Sequence, residues 1–94
     1  IAIPMSDTAK PLTILYFAWL RERLGRAEAT MALPAGVRTV AELLDHLAQR
    51  DAVHAAAFDN RRTVRCAVNQ EFAPVTTALH SGDEVAFFPP VTGG

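Results

Sequence analysis

The stretch Thr39-Val40-Ala41-Glu42-Leu43-Leu44-Asp45-His46-Leu47-Ala48-Gln49-Arg50 decides the fold of this chain. It opens with Thr-x-x-Glu, in which the threonine oxygen accepts from the amide three residues on and the glutamate reaches back to the threonine amide, a capped helix start. Val40, Leu43, Leu44, Leu47 and Ala48 then fall at i, i+3, i+4, i+7 and i+8, with Glu42, Asp45, His46, Gln49 and Arg50 on the other side. A helix with one apolar stripe needs a surface to cover, and each of its three leucines contributes roughly 1.5–3 kcal/mol when fully buried. The stripe predicts a helix lying on a sheet.

Strand signals stand on both sides of it. Residues 12–18 (LTILYFA) are rich in β-branched and aromatic side chains and too short for an amphipathic helix, so they predict a strand. Alternation puts Leu12, Ile14 and Tyr16 on one face and Thr13, Leu15 and Phe17 on the other. Residues 19–24 predict a short helical turn stopped by Gly25, and 29–33 a second strand ending at Pro34-Ala35-Gly36. Beyond the central helix, the alanine-rich residues 52–58 read as another helical turn and Arg61-Arg62 as a solvated turn. Residues 64–69 alternate as a strand with Val64, Cys66 and Val68 inward; Asn69-Gln70 turns the chain into a short strand at 72–76, and Ser81-Gly82-Asp83 turns it into a last strand at 84–88. The order describes an α+β domain, a mixed sheet of four to five strands with one main helix on one face. It fits β-grasp topology and other small α+β folds alike.

Composition bounds what such a domain can do. With 94 residues, half of them apolar and a net charge of -1, the chain holds one hydrophobic core. Folding at this length buries somewhat over ~60% of the unfolded chain's surface, which leaves little room for an internal catalytic pocket. Near-neutral, scattered charge argues against nucleic acid and anionic membranes as partners. No run approaches the ~18 apolar residues of a membrane span and no charged region leads into an apolar leader, so a cytoplasmic protein is expected. The three histidines, His46, His54 and His80, lack metal-ligand spacing, and the single Cys66 can form no internal disulfide. In the core, that thiol has a raised pKa and little thiolate; a persulfide-forming thiol is the sharper alternative. Ile1-Ala2-Ile3-Pro4 precede Met5, which reads as an initiator. Residues 1–9 are therefore expected to be a disordered leader beginning with four added residues, 10–88 the domain, and 89–94 an extended tail.

Chemistry is expected in that tail, Pro89-Pro90-Val91-Thr92-Gly93-Gly94. The two prolines lack the amide hydrogen that a strand ladder needs and hold the backbone extended. Six extended residues reach at most roughly 20 Å, enough to enter another protein's pocket. Two final glycines let a narrow channel close around bare backbone, and chance alone places a glycine pair there in about 0.5% of chains. A carboxylate at Gly94 is ionised at neutral pH and a poor electrophile, so another protein must activate it. This sequence has neither a Gly-x-x-x-x-Gly-Lys-Ser/Thr loop nor a Gly-x-Gly-x-x-Gly turn with which to hold a nucleotide itself.

The ending Gly82-Asp83-Glu84-Val85-Ala86-Phe87-Phe88-Pro89-Pro90-Val91-Thr92-Gly93-Gly94 resembles that of molybdopterin synthase small subunits. Leu15-Tyr16-Phe17-Ala18, Arg21-Glu22, Leu24-Gly25 and Ala67-Val68-Asn69-Gln70 also stand where that family has them. The resemblance implies a ubiquitin-like β-grasp fold and a sulfur carrier without turnover of its own, which binds no cofactor. It implies that an adenylating enzyme spends ATP on Gly94, that sulfur delivery makes a thiocarboxylate, and that the tail enters the large synthase subunit, within a heterotetramer. There sulfur passes to cyclic pyranopterin monophosphate. Gly94 is then the carrier, with Gly93 and Thr92 the slender tail behind it. If the helix covers the face bearing Ile14, Tyr16, Val85 and Phe87, then Leu15, Phe17 and Phe88 lie on a face that no second helix covers, and a partner is expected there; the resemblance adds Phe72. Rival readings are a sulfur carrier for thiamine synthesis or tRNA thiolation, a ubiquitin-like protein modifier, and a plain binding module that never uses its terminus.

Overall fold

The computed structural model describes residues 10–90. Along the chain run β1 (Leu12–Tyr16), α1 (Ala18–Leu24), β2 (Glu28–Met31), α2 (Val40–Ala48), α3 (Ala52–Ala57), a 3₁₀ turn (Arg61–Thr63), β3 (Arg65–Val68), β4 (Glu71–Ala73) and β5 (Glu84–Phe88). The strands form one sheet in the order β2-β1-β5-β3-β4. β1 and β5 pair in parallel at its centre, and every other pairing is antiparallel. This is the mixed, helix-covered sheet of the β-grasp fold.

Local chemistry sets the position of α2. Thr39 Oγ1 accepts from the Glu42 amide at 3.2 Å, and Glu42 Oε1 accepts from the amides of Thr39 at 3.1 Å and Arg38 at 2.8 Å. The capping box thus satisfies amides that the first helical turn leaves without partners. From that start Val40, Leu43, Leu44 and Leu47 are all buried. They pack on Leu12, Ile14 and Tyr16 of β1 and on Val85 and Phe87 of β5. Because Ile14 pairs with Val85 and Tyr16 with Phe87, the two central strands present one continuous apolar face to the helix.

The structure corrects several expectations. The first strand ends at Tyr16, not at 18: Phe17 is the extended cap of α1, and Ala18 enters the helix region at φ 54°. A left-handed alanine costs about 1–2 kcal/mol, and it turns the chain sharply from strand to helix. Gly25 ends α1 at φ 73°, its amide donating to the Arg21 carbonyl at 2.9 Å. The second strand stops at Met31, and β4 stops at Ala73 before Pro74, which has no amide for the ladder. On the sheet's inner side the main helix α2 is joined by α1 and α3, where the sequence predicts helical turns. α1 contributes Leu20, α3 contributes Ala57, and Phe58 follows with its ring centroid 5.6 Å from that of Phe87 and 6.4 Å from that of Tyr16.

Arg61-Arg62 is not simply solvated. Half-buried Arg61 donates from Nη2 to Asp45 Oδ1 at 2.8 Å and from Nε to the Phe58 carbonyl at 3.0 Å, tying the 3₁₀ turn to α2 and α3; Arg62 is exposed. Among the described residues no helix is long and apolar enough to cross a membrane.

Candidate functional site

Alternation along the strands leaves the second face of the sheet without a covering helix. Leu15, Ala86, Ala67 and Phe72 stand in register across β1, β5, β3 and β4, forming a row over four strands. The two alanines make a low floor between Leu15 and Phe72. One step along β5, Phe88 pairs with Arg65, and its ring lies 5.6 Å from that of Phe72. Phe17 stands beyond the end of β1, its amide donating to the Phe87 carbonyl at 3.1 Å. Phe72 is 84% exposed and Phe17 45% exposed, while Leu15 and Phe88 are half-buried. Large apolar side chains gathered this way on one open face make it the candidate docking surface.

The structure therefore brings Leu15, Phe88 and Phe72 onto one face, with Phe17 at the end of its central strand. Phe88 is also the last strand residue before Pro89-Pro90, so this face lies at the root of the proposed tail. Gly94, the expected carrier, and Gly93 and Thr92 of the tail behind it lie outside the described residues.

The clamp that holds the Phe72 hairpin is not readable from the sequence. Asn69 and Gln70 both have positive φ, 51° and 72°, so they form the two-residue turn of primed type that suits the twist of a hairpin. Asn69 Nδ2 donates to Asp83 Oδ1 at 3.0 Å, and Asn69 Oδ1 accepts from the Glu84 amide at 3.0 Å. Asp83 Oδ2 accepts from the His80 amide at 2.8 Å. The β3–β4 turn is thereby fastened to the start of β5. An asparagine in a turn is a visible signal, but its partner 14 residues away is not.

Two polar groups on the covered side bear on the chemistry. Cys66 is buried, its thiol donates to the Ala73 carbonyl at 3.1 Å, and burial pushes its pKa up. Such a thiol is a poor nucleophile and a poor place to carry sulfur. The Tyr16 hydroxyl is buried without a partner among the described residues, and desolvation raises its pKa against the opposing pull of Arg50 and Arg26. Among the described residues no three His, Cys, Asp or Glu side chains converge as a metal ion requires. A shallow cleft of about 270 Å³ is lined by residues of α1, α3 and the 3₁₀ turn, including Trp19, Arg23, Ala56 and Thr63.

Fold and face together define a class: a ubiquitin-like β-grasp domain that presents an open, aromatic sheet face beside its C-terminal segment. The profile of the ThiS family matches residues 14–94. The chain is similar to the molybdopterin synthase sulfur carrier subunit of Haemophilus influenzae, 39% identical over 88% of this chain and 99% of that protein. Its counterpart in Escherichia coli is 40% identical over the same shares. Among solved structures it is similar to small archaeal modifier protein 1 of H. volcanii, with a TM-score of 0.67 and 28% identity over 87% of this chain and 99% of that one. The chain belongs to the ThiS family.

Proposed function

We propose that this chain is the sulfur carrier subunit of a molybdopterin synthase. The likeness to the two bacterial subunits over nearly their whole length carries this reading. In it, the Gly94 carboxylate attacks the α-phosphorus of ATP on an adenylating partner, releasing pyrophosphate. The acyl-adenylate is electrophilic where the carboxylate was not, and hydrosulfide attacking its carbonyl carbon expels AMP and leaves a thiocarboxylate. The loaded chain then docks on the large synthase subunit through Leu15, Phe17, Phe72 and Phe88, and Gly93 and Thr92 thread into its site. Sulfur passes to cyclic pyranopterin monophosphate and water restores the carboxylate. Two such transfers build the dithiolene of molybdopterin.

The open face supports this division of labour. Its described residues offer rings for docking, which fits a chain whose chemistry is supplied by its partners. The buried, hydrogen-bonded Cys66 favours the terminus over the thiol as the carrier.

Intact mass spectrometry after incubation with the activating enzyme, ATP and a sulfur donor tests the reading. The chain should gain the mass difference between one sulfur and one oxygen, confined to the C-terminal peptide. Deleting Gly94, or adding one residue after it, should abolish sulfur transfer and leave the melting temperature unchanged. Sulfur on Cys66, or molybdopterin formation by the extended variant, would sink it. A second reading, conjugation to other proteins through Gly94, is favoured by the likeness to the archaeal modifier and would appear as isopeptide adducts.

A further inference from the structure

We propose that Arg65 is the charged anchor of the docking face, and that the protein covering Phe88 places a carboxylate on it. The proposal rests on reading this face as the contact surface for the large synthase subunit.

Arg65 opens β3 directly opposite Phe88, on the same face as Phe72, and is exposed. Its Nη1 donates to the carbonyls of Arg62 at 3.1 Å and Val64 at 3.4 Å. Those bonds orient the guanidinium and leave its Nε–Nη2 edge, the edge that takes two carboxylate oxygens side by side. Among the described residues the ion pairs are His54–Asp51, Arg61–Asp45 and His80–Asp83, so Arg65 has no acidic partner there. Nor does its own face supply one. Glu84 lies at the other end of β5, about 13 Å from Phe88 at the rise of a strand, and Glu28 lies three strands away, about 14 Å across the sheet.

Neighbours opposite one another on paired strands have Cβ atoms about 4.5–5.5 Å apart, whereas a stable interface covers on the order of 800 Å² on each partner. A partner surface of that area centred on the Phe88 ring therefore also reaches Arg65. A guanidinium cannot shed its proton to escape that environment, and burying it without an anion is strongly unfavourable. The partner must answer it, and a carboxylate matches both the charge and the free edge.

Titration calorimetry of the intact chain with the large subunit from the same organism tests this, using Arg65→Ala, Arg65→Lys, Arg65→Glu, Phe88→Ala and, as a control on the far side of the sheet, Arg50→Ala. Unfolding midpoints of all variants accompany the titrations. Arg65→Ala should weaken binding about tenfold, Arg65→Lys less, and Arg65→Glu at least another tenfold through like-charge repulsion, while Arg50→Ala binds as the parent does. If Phe88→Ala loses affinity while Arg65→Glu binds as tightly as Arg65→Ala, the charge is not read and the proposal falls, leaving the docking face intact. If Phe88→Ala binds normally, the face itself is misassigned and both readings fall. Tighter binding by Arg65→Ala would mean that this chain's own carboxylate terminus holds the guanidinium, which also overturns the proposal.

Discussion

Phe87 and Phe88 are consecutive residues with opposite tasks, because side chains alternate across a strand. Phe87 is fully buried between Tyr16 and Phe58, so Phe87→Ala should cost about 3–5 kcal/mol of stability. Phe88 is half-buried on the open face, and Phe88→Ala should cost no more than about 1 kcal/mol. The same change should nevertheless weaken docking by on the order of 2 kcal/mol or more, as loss of an aromatic anchor does. Chemical denaturation of the two variants checks the first pair of values, and equal midpoints would mean the faces are reversed. Tyr16 makes the opposite case. Its hydroxyl has no partner among the described residues, so Tyr16→Phe should leave stability unchanged or raise it by up to about 1 kcal/mol. A clear loss of stability in that variant would reveal a hydrogen bond to the phenol.

Among the elements, α2 is legible in the amino-acid sequence because every device that forms it is local: a cap, a stripe and a solvated side within one short stretch. The alternation of β1 and β5 is legible for the same reason, and with it the placing of Leu15 and Phe88. What escapes depends on distant partners. Phe58 follows an alanine run of no strong pattern and is buried because β1 and β5 bring two rings to meet it. Arg61 is fixed by Asp45, 16 residues earlier, and the left-handed turn at Ala18 has no marker in an alanine. α3 adds a device with a pH signature. The Asp51 carboxylate accepts from the His54 amide and contacts the His54 ring nitrogen, both at 2.8 Å, and these bonds, the amide's foremost, hold its pKa below the usual range. A carboxylate whose folded pKa is depressed contributes stability that is complete above its unfolded value, near ~3.9, and disappears as pH falls through the folded value. Asp51→Asn should therefore flatten the decline of melting temperature with acid below about pH 4. Parallel acid limbs for the two proteins would contradict this role for the cap.

For the whole molecule, the last strand of the described residues, β5, is the middle strand of the sheet and pairs with both the first, β1, and β3. Removing residues 89–94 should leave a folded domain with native-like dispersion in its amide NMR spectrum. Removing Phe87 and Phe88 as well should abolish cooperative unfolding, since it takes away a core ring, one of the four residue pairs between β1 and β5 and two of the four between β3 and β5. A cooperative melt from that shorter chain would show that β5 is dispensable. The parallel pairing also has a consequence during synthesis. β1 leaves the ribosome first and has no neighbour on its inner side until β5 emerges, more than 60 residues later. A chain released early lacks the strand that closes the sheet together with the segment beyond it. Truncated products are thus open to proteases, and a correctly folded copy is one whose synthesis has passed through β5.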